Sequence, residues 1–419
     1  MAYALMVVYL AGSIIFWPNG TMVRDQREIM FLIAVGFGVA WYVGKKVDVW
    51  AGLIAGYVLM QECRGSGSSI QIGVLIGLGL MYAVGVKAEL KAERVYDVIC
   101  TVVIVNVIFQ VMQWWGIWTP IAQWDTVQYM GVMGNKNETS ALLGCSIVAF
   151  MRKGWWKWIW ICLLGLVLAD SLQGVVAAIS GVCAWLWHSG RLNWRYVAGA
   201  VAIGGLFLLI VKPLNFESQK HVRLDIWEDT VKVASVKPVF GWGMNRYYQV
   251  IPLLTSFKYI DKEDRDMLRR TLGDDVALEK AAAVLTVGDR DYFNGPHQQA
   301  GLYAQAHNEY VEMLFMGGVV GLMLMLLFLF DRLRAARSLS DPAPFAGLVS
   351  LCVASALGFQ WHLVPLLLLT MAYLVLAWRE PHRNVRQPLP WLVYPFRRVM
   401  KVLRQEFSPS SASGQMQPR

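Results

Sequence analysis

The chain has 419 residues, 56% of them apolar and only 16% charged, with a mean hydropathy of +0.44. Soluble domains run nearer about half apolar and a quarter charged, so an ordinary soluble enzyme is excluded. The formal net charge of +9 falls in short segments between apolar runs and in the tail, which marks membrane topology and not a nucleic-acid partner.

A spanning helix needs about 20 largely apolar residues. In chain order the candidate runs are 2–17, 29–44, 47–63, 70–86, 95–118, 139–152, 155–169, 172–188, 196–211, 308–330, 344–361 and 363–378. The first lacks a basic leader and ends in Trp-Pro-Asn, so it reads as a span and not a cleaved signal. Segment 155–188 admits another reading around Asp170-Ser171. Five of the six cysteines (Cys100, Cys145, Cys162, Cys183, Cys352) sit in apolar runs without a CxxC pair, as small core residues do.

The basic residues alternate with these runs. Lys45 and Lys46 follow the second; Lys87, Lys91 and Arg94 the fourth; Arg152, Lys153 and Lys157 flank the end of the sixth. Arg191 and Arg195 follow the eighth, Arg332, Arg334 and Arg337 the tenth, and a basic tail the twelfth. The opposite short loops hold only Arg24, Arg27, Arg64 and Lys136. The positive-inside rule then puts both termini in the cytoplasm. The expected architecture is an all-α integral membrane protein of about twelve transmembrane helices with one large, partly helical outer loop. Its parts are helices 1–9 in residues 1–211, the outer loop 212–306, helices 10–12 in 307–378, and a basic cytoplasmic tail, 379–419.

The outer loop carries thirteen Lys/Arg against thirteen Asp/Glu, and its middle, 260–285, has the composition of surface helices. A loop this long inside a compact protein is usually functional. The start of the tail, 391–404, suits either a basic amphipathic helix on the anionic leaflet or a disordered tail.

Four polar segments collect on the outer side. His307-Asn308 closes the loop and opens the tenth run, with Gly318 and Gly321 at a spacing that lets another helix approach. A rim histidine suits a general base toward a hydroxyl; a histidine that only caps the helix has the same pattern. Arg223 and Trp227 lie one helical turn apart, and an arginine there can grip a phosphate or pair with Asp225 or Glu228. Pro238 leads into Gly241-Trp242-Gly243 and Arg246, a turn whose N–H groups can face an anion. Gly134-Asn135-Lys136-Asn137 precedes a helix start, which is an anion site or an ordinary capped turn. Asp170-Ser171-Leu172-Gln173-Gly174 is the tight turn between two runs, and either faces the same cavity or caps the following helix.

Together these segments resemble the O-antigen ligase / O-antigen polymerase family of bacterial membrane glycosyltransferases, which includes protein O-oligosaccharyltransferases. The family signature is His, then Asn, Ser or Gln, nine residues, Gly, two residues and Gly; here His307, Asn308, Gly318 and Gly321 fill it. An Arg-x-x-x-Trp … Pro-x-x-Gly-x-Gly stretch is matched by Arg223, Trp227, Pro238, Gly241 and Gly243, and Gly-Asn-x-Asn by residues 134–137. The resemblance covers roughly residues 95–330.

It implies a glycan donor on undecaprenyl diphosphate and an acceptor hydroxyl on lipid A core, on the growing glycan or on a protein. It implies transfer at the outer face of the bacterial inner membrane, with no cofactor and no metal. His307 acts on the hydroxyl, Arg223 holds the diphosphate, and Asn308, Lys136, Asn135, Asn137, Gly241, Gly243, Arg246 and Gln173 bind substrate. Many members carry an arginine in the turn matched by Ser171–Gly174, which has none here, and Lys136 or Arg246 is expected to replace it. A glutamate common in the signature is Met316. Rival readings are a polysaccharide transporter, which calls for charge deep in the spans, and a metal-dependent transferase using Asp25 and Glu28.

Overall fold

A computed structural model describes residues 91–117, 129–131, 133, 136–191, 216–243, 247, 250, 306, 308–358 and 364–378. The described residues form eight α-helices and no strand: α1 (Ala92–Trp114), α2 (Lys136–Arg152), α3 (Trp156–Ala169), α4 (Leu172–His188), α5 (Phe216–Ala234), α6 (Glu309–Arg337), α7 (Ala343–Ser355) and α8 (Val364–Trp378). Seven of the apolar runs become α1–α4 and α6–α8. The runs at 2–17, 29–44, 47–63, 70–86 and 196–211, the loop middle 260–285 and the tail lie outside the described residues.

The apolar faces match a bilayer better than water. Helices α1 and α6 are long and apolar enough to cross one, and α3, α4 and α7 are shorter apolar helices. On α3, Trp156, Trp160, Leu164 and Val167 form one exposed stripe, and on α6, Val319, Met323, Leu326 and Phe330 form another. Both follow the helical repeat, so each is one continuous face that lipid would cover. Trp114 and Trp115 are exposed at one end of α1, and Trp156 and Trp187 at the opposite end of the bundle, as interfacial aromatics sit.

Helix α2 is the centre of the packing. Its residues 138–151 are all buried, because α1, α3, α4, α7 and α8 surround it. Small residues allow that crowding. The position a Cβ on Gly144 would take lies 2.1 Å from the Gly174 carbonyl, and one on Gly174 would lie 2.1 Å from the Ser140 carbonyl. The α2–α4 backbones therefore approach as glycine alone permits. Tyr373 of α8 crosses to donate to the Cys145 carbonyl at 3.1 Å, and Ser350 of α7 donates to that of Ala177.

The helices alternate in direction. At one end Arg152 pairs with Glu93 (2.9 Å) and Asp341 (2.8 Å), and Lys153 with Glu93 (3.2 Å) and Asp97 (2.9 Å). The hydrogen bond to Asp97, above all, holds the Lys153 ammonium above the ordinary lysine range. These basic residues, which mark sidedness in the sequence, also lock the ends of α1, α2 and α7 together.

Helix α1 carries a polar face inside its apolar run. Asn106, Gln110 and Gln113 are buried at i, i+4 and i+7. Gln113 Nε2 donates to the Gly131 carbonyl (2.9 Å) and its Oε1 accepts from the Gly131 N–H (2.8 Å). Gln110 Nε2 donates to the Tyr129 and Gly165 carbonyls, both at 3.0 Å. This ladder fixes the segment leading into α2. Replacing Gln113 with Leu leaves two buried backbone groups unmatched, at about 1–3 kcal/mol each. A Gln113→Leu protein is expected to melt several degrees below the parent in detergent; an equal melting temperature would contradict this account.

Candidate functional site

The opposite end of the bundle gathers the segments singled out in the sequence. Helices α2, α4 and α6 start there and α7 ends there. Ser171 Oγ donates to Asn137 Oδ1 at 2.7 Å, which ties the start of α4 to the start of α2. Ser140 Oγ donates to the Asn137 carbonyl and accepts from the Gly174 N–H at 3.2 Å. Gln173 Nε2 donates to the Ala354 carbonyl (3.1 Å), and Tyr310 Oη to the Cys352 carbonyl (2.8 Å). So α2 meets α4, α4 meets α7, and α7 meets α6 at this one end.

The turn between α3 and α4 is as tight as the sequence allows. Asp170 takes the left-handed conformation at φ 46°, which short polar side chains tolerate. Ser171 occupies the N-cap position of α4 yet makes no cap to its own helix. Its hydroxyl serves the link to Asn137 instead. Gln173 is buried against α7. Lys136 is half-buried in the first turn of α2, followed by the buried Glu138.

Helix α6 begins two residues after His307, and its start is heavily fixed. Asn308 is the N-cap, its Oδ1 accepting from the N–H groups of Tyr310 (3.0 Å) and Val311 (3.1 Å). This cap satisfies donors that a helix N-terminus otherwise leaves open. Glu312 reaches back, its Oε2 accepting from the Ala306 N–H at 3.1 Å. On its other side Ala306 offers its carbonyl to Trp227 Nε1 of α5 at 2.9 Å. The residues on both sides of His307 are therefore anchored, one by α5 and α6 together and the other by its own cap.

Below this start α6 breaks. Gly318 has φ 62° and ψ −166°, so the helix kinks there and leaves backbone groups open. The 238–243 segment fills the gap. The N–H groups of Trp242 and Gly243 donate to the carbonyls of Phe315 and Met316, both at 2.9 Å. Val319 and Val320 N–H groups donate to the carbonyls of Pro238 (2.7 Å) and Val239 (3.1 Å). Gly241 and Gly318 meet face to face: a Cβ on Gly241 would lie 2.5 Å from Gly318 N, and one on Gly318 would lie 2.4 Å from the Val239 carbonyl oxygen.

This corrects two expectations. The close approach at Gly318 is to an inserted loop, not to a neighbouring helix. The N–H groups of the Gly-Trp-Gly turn do not face an anion: Gly241 N–H donates to Lys237 O, and the next two donate into the α6 break. Helices that break mid-span must find such partners, because lipid offers none. Trp242 anchors the insertion, with Nε1 on the Val233 carbonyl (2.9 Å), its ring stacked on Phe315 and Lys237 Nζ 4.7 Å from the ring centre.

Arg223 lies within α5, one turn before Trp227, with its side chain outside the described residues; Asn135, Arg246 and His307 lie outside them altogether. Sequence reasoning passed over the acids. Glu309 and Glu312 are 4% and 1% exposed and Glu138 is 6% exposed, all in first helical turns. There the helix dipole favours a negative charge. The signal was present as a glutamate close behind an N-cap asparagine, a near relative of the capping box.

Residues 158–326 match the family model described as O-antigen ligase. Over that stretch the chain is similar to the O-antigen ligase family. That stretch runs from α3 through the α6 break, so it holds the 171–174 turn, Arg223, the inserted loop, His307 and the signature glycines. No curated protein and no solved structure matches the chain. That family is one of glycosyltransferase-like membrane enzymes that act on a lipid-linked glycan and an acceptor.

Proposed function

We propose that this protein transfers a glycan from undecaprenyl diphosphate to an acceptor hydroxyl at the outer face of a bacterial inner membrane, as an O-antigen ligase or polymerase. In this reading both termini are cytoplasmic, twelve helices span the bilayer, and the loop 212–306 is external. The observation that carries it is the hydrogen bond from Trp227 to Ala306. It joins the helix bearing Arg223 to the residue preceding His307, so a diphosphate-binding cation and a base belong to one assembly.

The chemistry needs both. His307 takes the proton of the acceptor hydroxyl as its oxygen attacks the anomeric carbon. The bond to the diphosphate breaks, and Arg223 receives the negative charge that develops on the leaving group. Lys136, in the first turn of α2, and Arg246 supply the cation that the turn at Gln173 lacks. Asn135 and Asn137 bind substrate beside Lys136, and Asn308 orients His307. Gly241 and Gly243 serve the site by letting their loop enter the α6 break.

Deleting the gene tests the reading. Undecaprenyl-diphosphate-linked polymer accumulates if the protein is a ligase, and single carrier-linked repeat units if it is a polymerase; no change in carrier-linked glycan rejects both, and unmodified surface protein identifies a protein acceptor instead. No metal takes part in this mechanism. Purified enzyme is therefore expected to keep its transfer rate in excess chelator, and a rate lost to chelator and restored by a divalent cation would favour a metal-dependent transferase.

A further inference from the structure

The peptide before His307 is held from two helices, and that arrangement has a use in catalysis. Ala306 is fully buried, so neither its N–H nor its carbonyl reaches water. Glu312 of α6, 1% exposed, takes the N–H. The indole of Trp227, on α5, takes the carbonyl at 2.9 Å. A second attachment lies further along α6, where Trp242 and Gly243 donate to Phe315 and Met316. Two attachments at different levels stop α5 from sliding or rotating against α6.

We propose that Trp227 and Glu312 are positioning residues of the transferase, clamping Ala306 so that His307 and the Arg223-bearing helix keep one fixed separation. This rests on the transferase reading above. Neither residue need touch substrate. In-line displacement requires the attacking oxygen and the leaving diphosphate on opposite sides of one carbon, so the base and the phosphate cation must be set relative to each other. A shift of about 1 Å at such a site costs on the order of 100-fold in rate. An indole N–H is a donor only, and a buried carbonyl left without it has no replacement. Glutamate in place of a smaller capping residue gives the reach from the first turn of α6 back past His307.

The test uses the purified full-length chain, a polyprenyl-diphosphate-linked oligosaccharide and a hydroxyl acceptor. Trp227→Phe keeps a ring and removes the donor. Its kcat is expected to fall about 10- to 100-fold, with the donor KM within about twofold of the parent's and a melting temperature only a few degrees lower, as one unmatched buried carbonyl implies. Glu312→Ala should behave alike, and Glu312→Gln, whose amide oxygen still accepts from Ala306, should recover most of kcat. Parent-level kcat in Trp227→Phe, a loss confined to donor KM, or a Glu312→Gln no faster than Glu312→Ala overturns the proposal. If Trp227→Phe does not fold, the Glu312 pair decides: loss with rescue supports the clamp, and equal losses overturn it. A parent protein that turns over no donor rejects the transferase reading itself, and is seen before any variant is assayed.

Discussion

His307→Ala is expected to reduce glycan transfer by at least about 100-fold while the protein still inserts and folds. General base catalysis contributes roughly 10²- to 10⁴-fold, and without it an alcohol must attack while keeping its proton. The fold should survive because the anchors around this position do not use the His307 side chain. Ala306 is held through its backbone, and Asn308 caps α6 through its own Oδ1. Asn308→Ala is the informative contrast. It removes two cap hydrogen bonds at about 1 kcal/mol of stability, so it should lower the melting temperature more than His307→Ala and the rate less. Transfer at the parent rate by purified His307→Ala would reject the base assignment outright.

Much of the helical frame is legible in the sequence because a bilayer enforces long apolar runs. The runs 139–152, 155–169 and 172–188 become α2, α3 and α4 to within a few residues, and the break at Asp170-Ser171 is where it was expected. Hydropathy fails where polar side chains bond to backbone inside a run. Asn106, Gln110 and Gln113 are averaged away by their apolar neighbours, yet Gln110 and Gln113 hold the segment that delivers Lys136. The site is legible as a set of motifs expected on one side, and Asn137, Ser171, Gln173 and Asn308 do lie at one end of the bundle. What a one-dimensional pattern leaves open is which motif touches which. The Arg-x-x-x-Trp and Gly-x-Gly stretches read as two ligand-binding elements. In the fold Trp227 holds Ala306, and the Gly-x-Gly loop completes a broken helix. Glu312 reads as one more acid in a helix's first turn, because its partner lies six residues back across the histidine.

The glycines of that broken helix make the strongest stability prediction. Gly318 at φ 62° and ψ −166° occupies a region essentially reserved for glycine, where another residue costs about 1–3 kcal/mol. A Cβ would also sit 2.4 Å from Val239 O, 2.5 Å from Val239 C and 2.6 Å from Gly241 N. All three are backbone atoms, so no side chain can swing aside. Overpacking adds about 1–3 kcal/mol, or else the loop is expelled and the four hydrogen bonds that close the break are lost. Gly318→Ala should therefore lose roughly 2–6 kcal/mol and most of its transfer activity together. Gly116→Ala separates the two contributions. Gly116 has φ 69° but no atom within 4 Å of an added Cβ, so strain acts there without a clash. Its expected cost is about 1–2 kcal/mol. Thermal unfolding in detergent compares the pair. Equal, small shifts would mean that the 238–243 loop yields without cost, and that its insertion into α6 does not hold the site together.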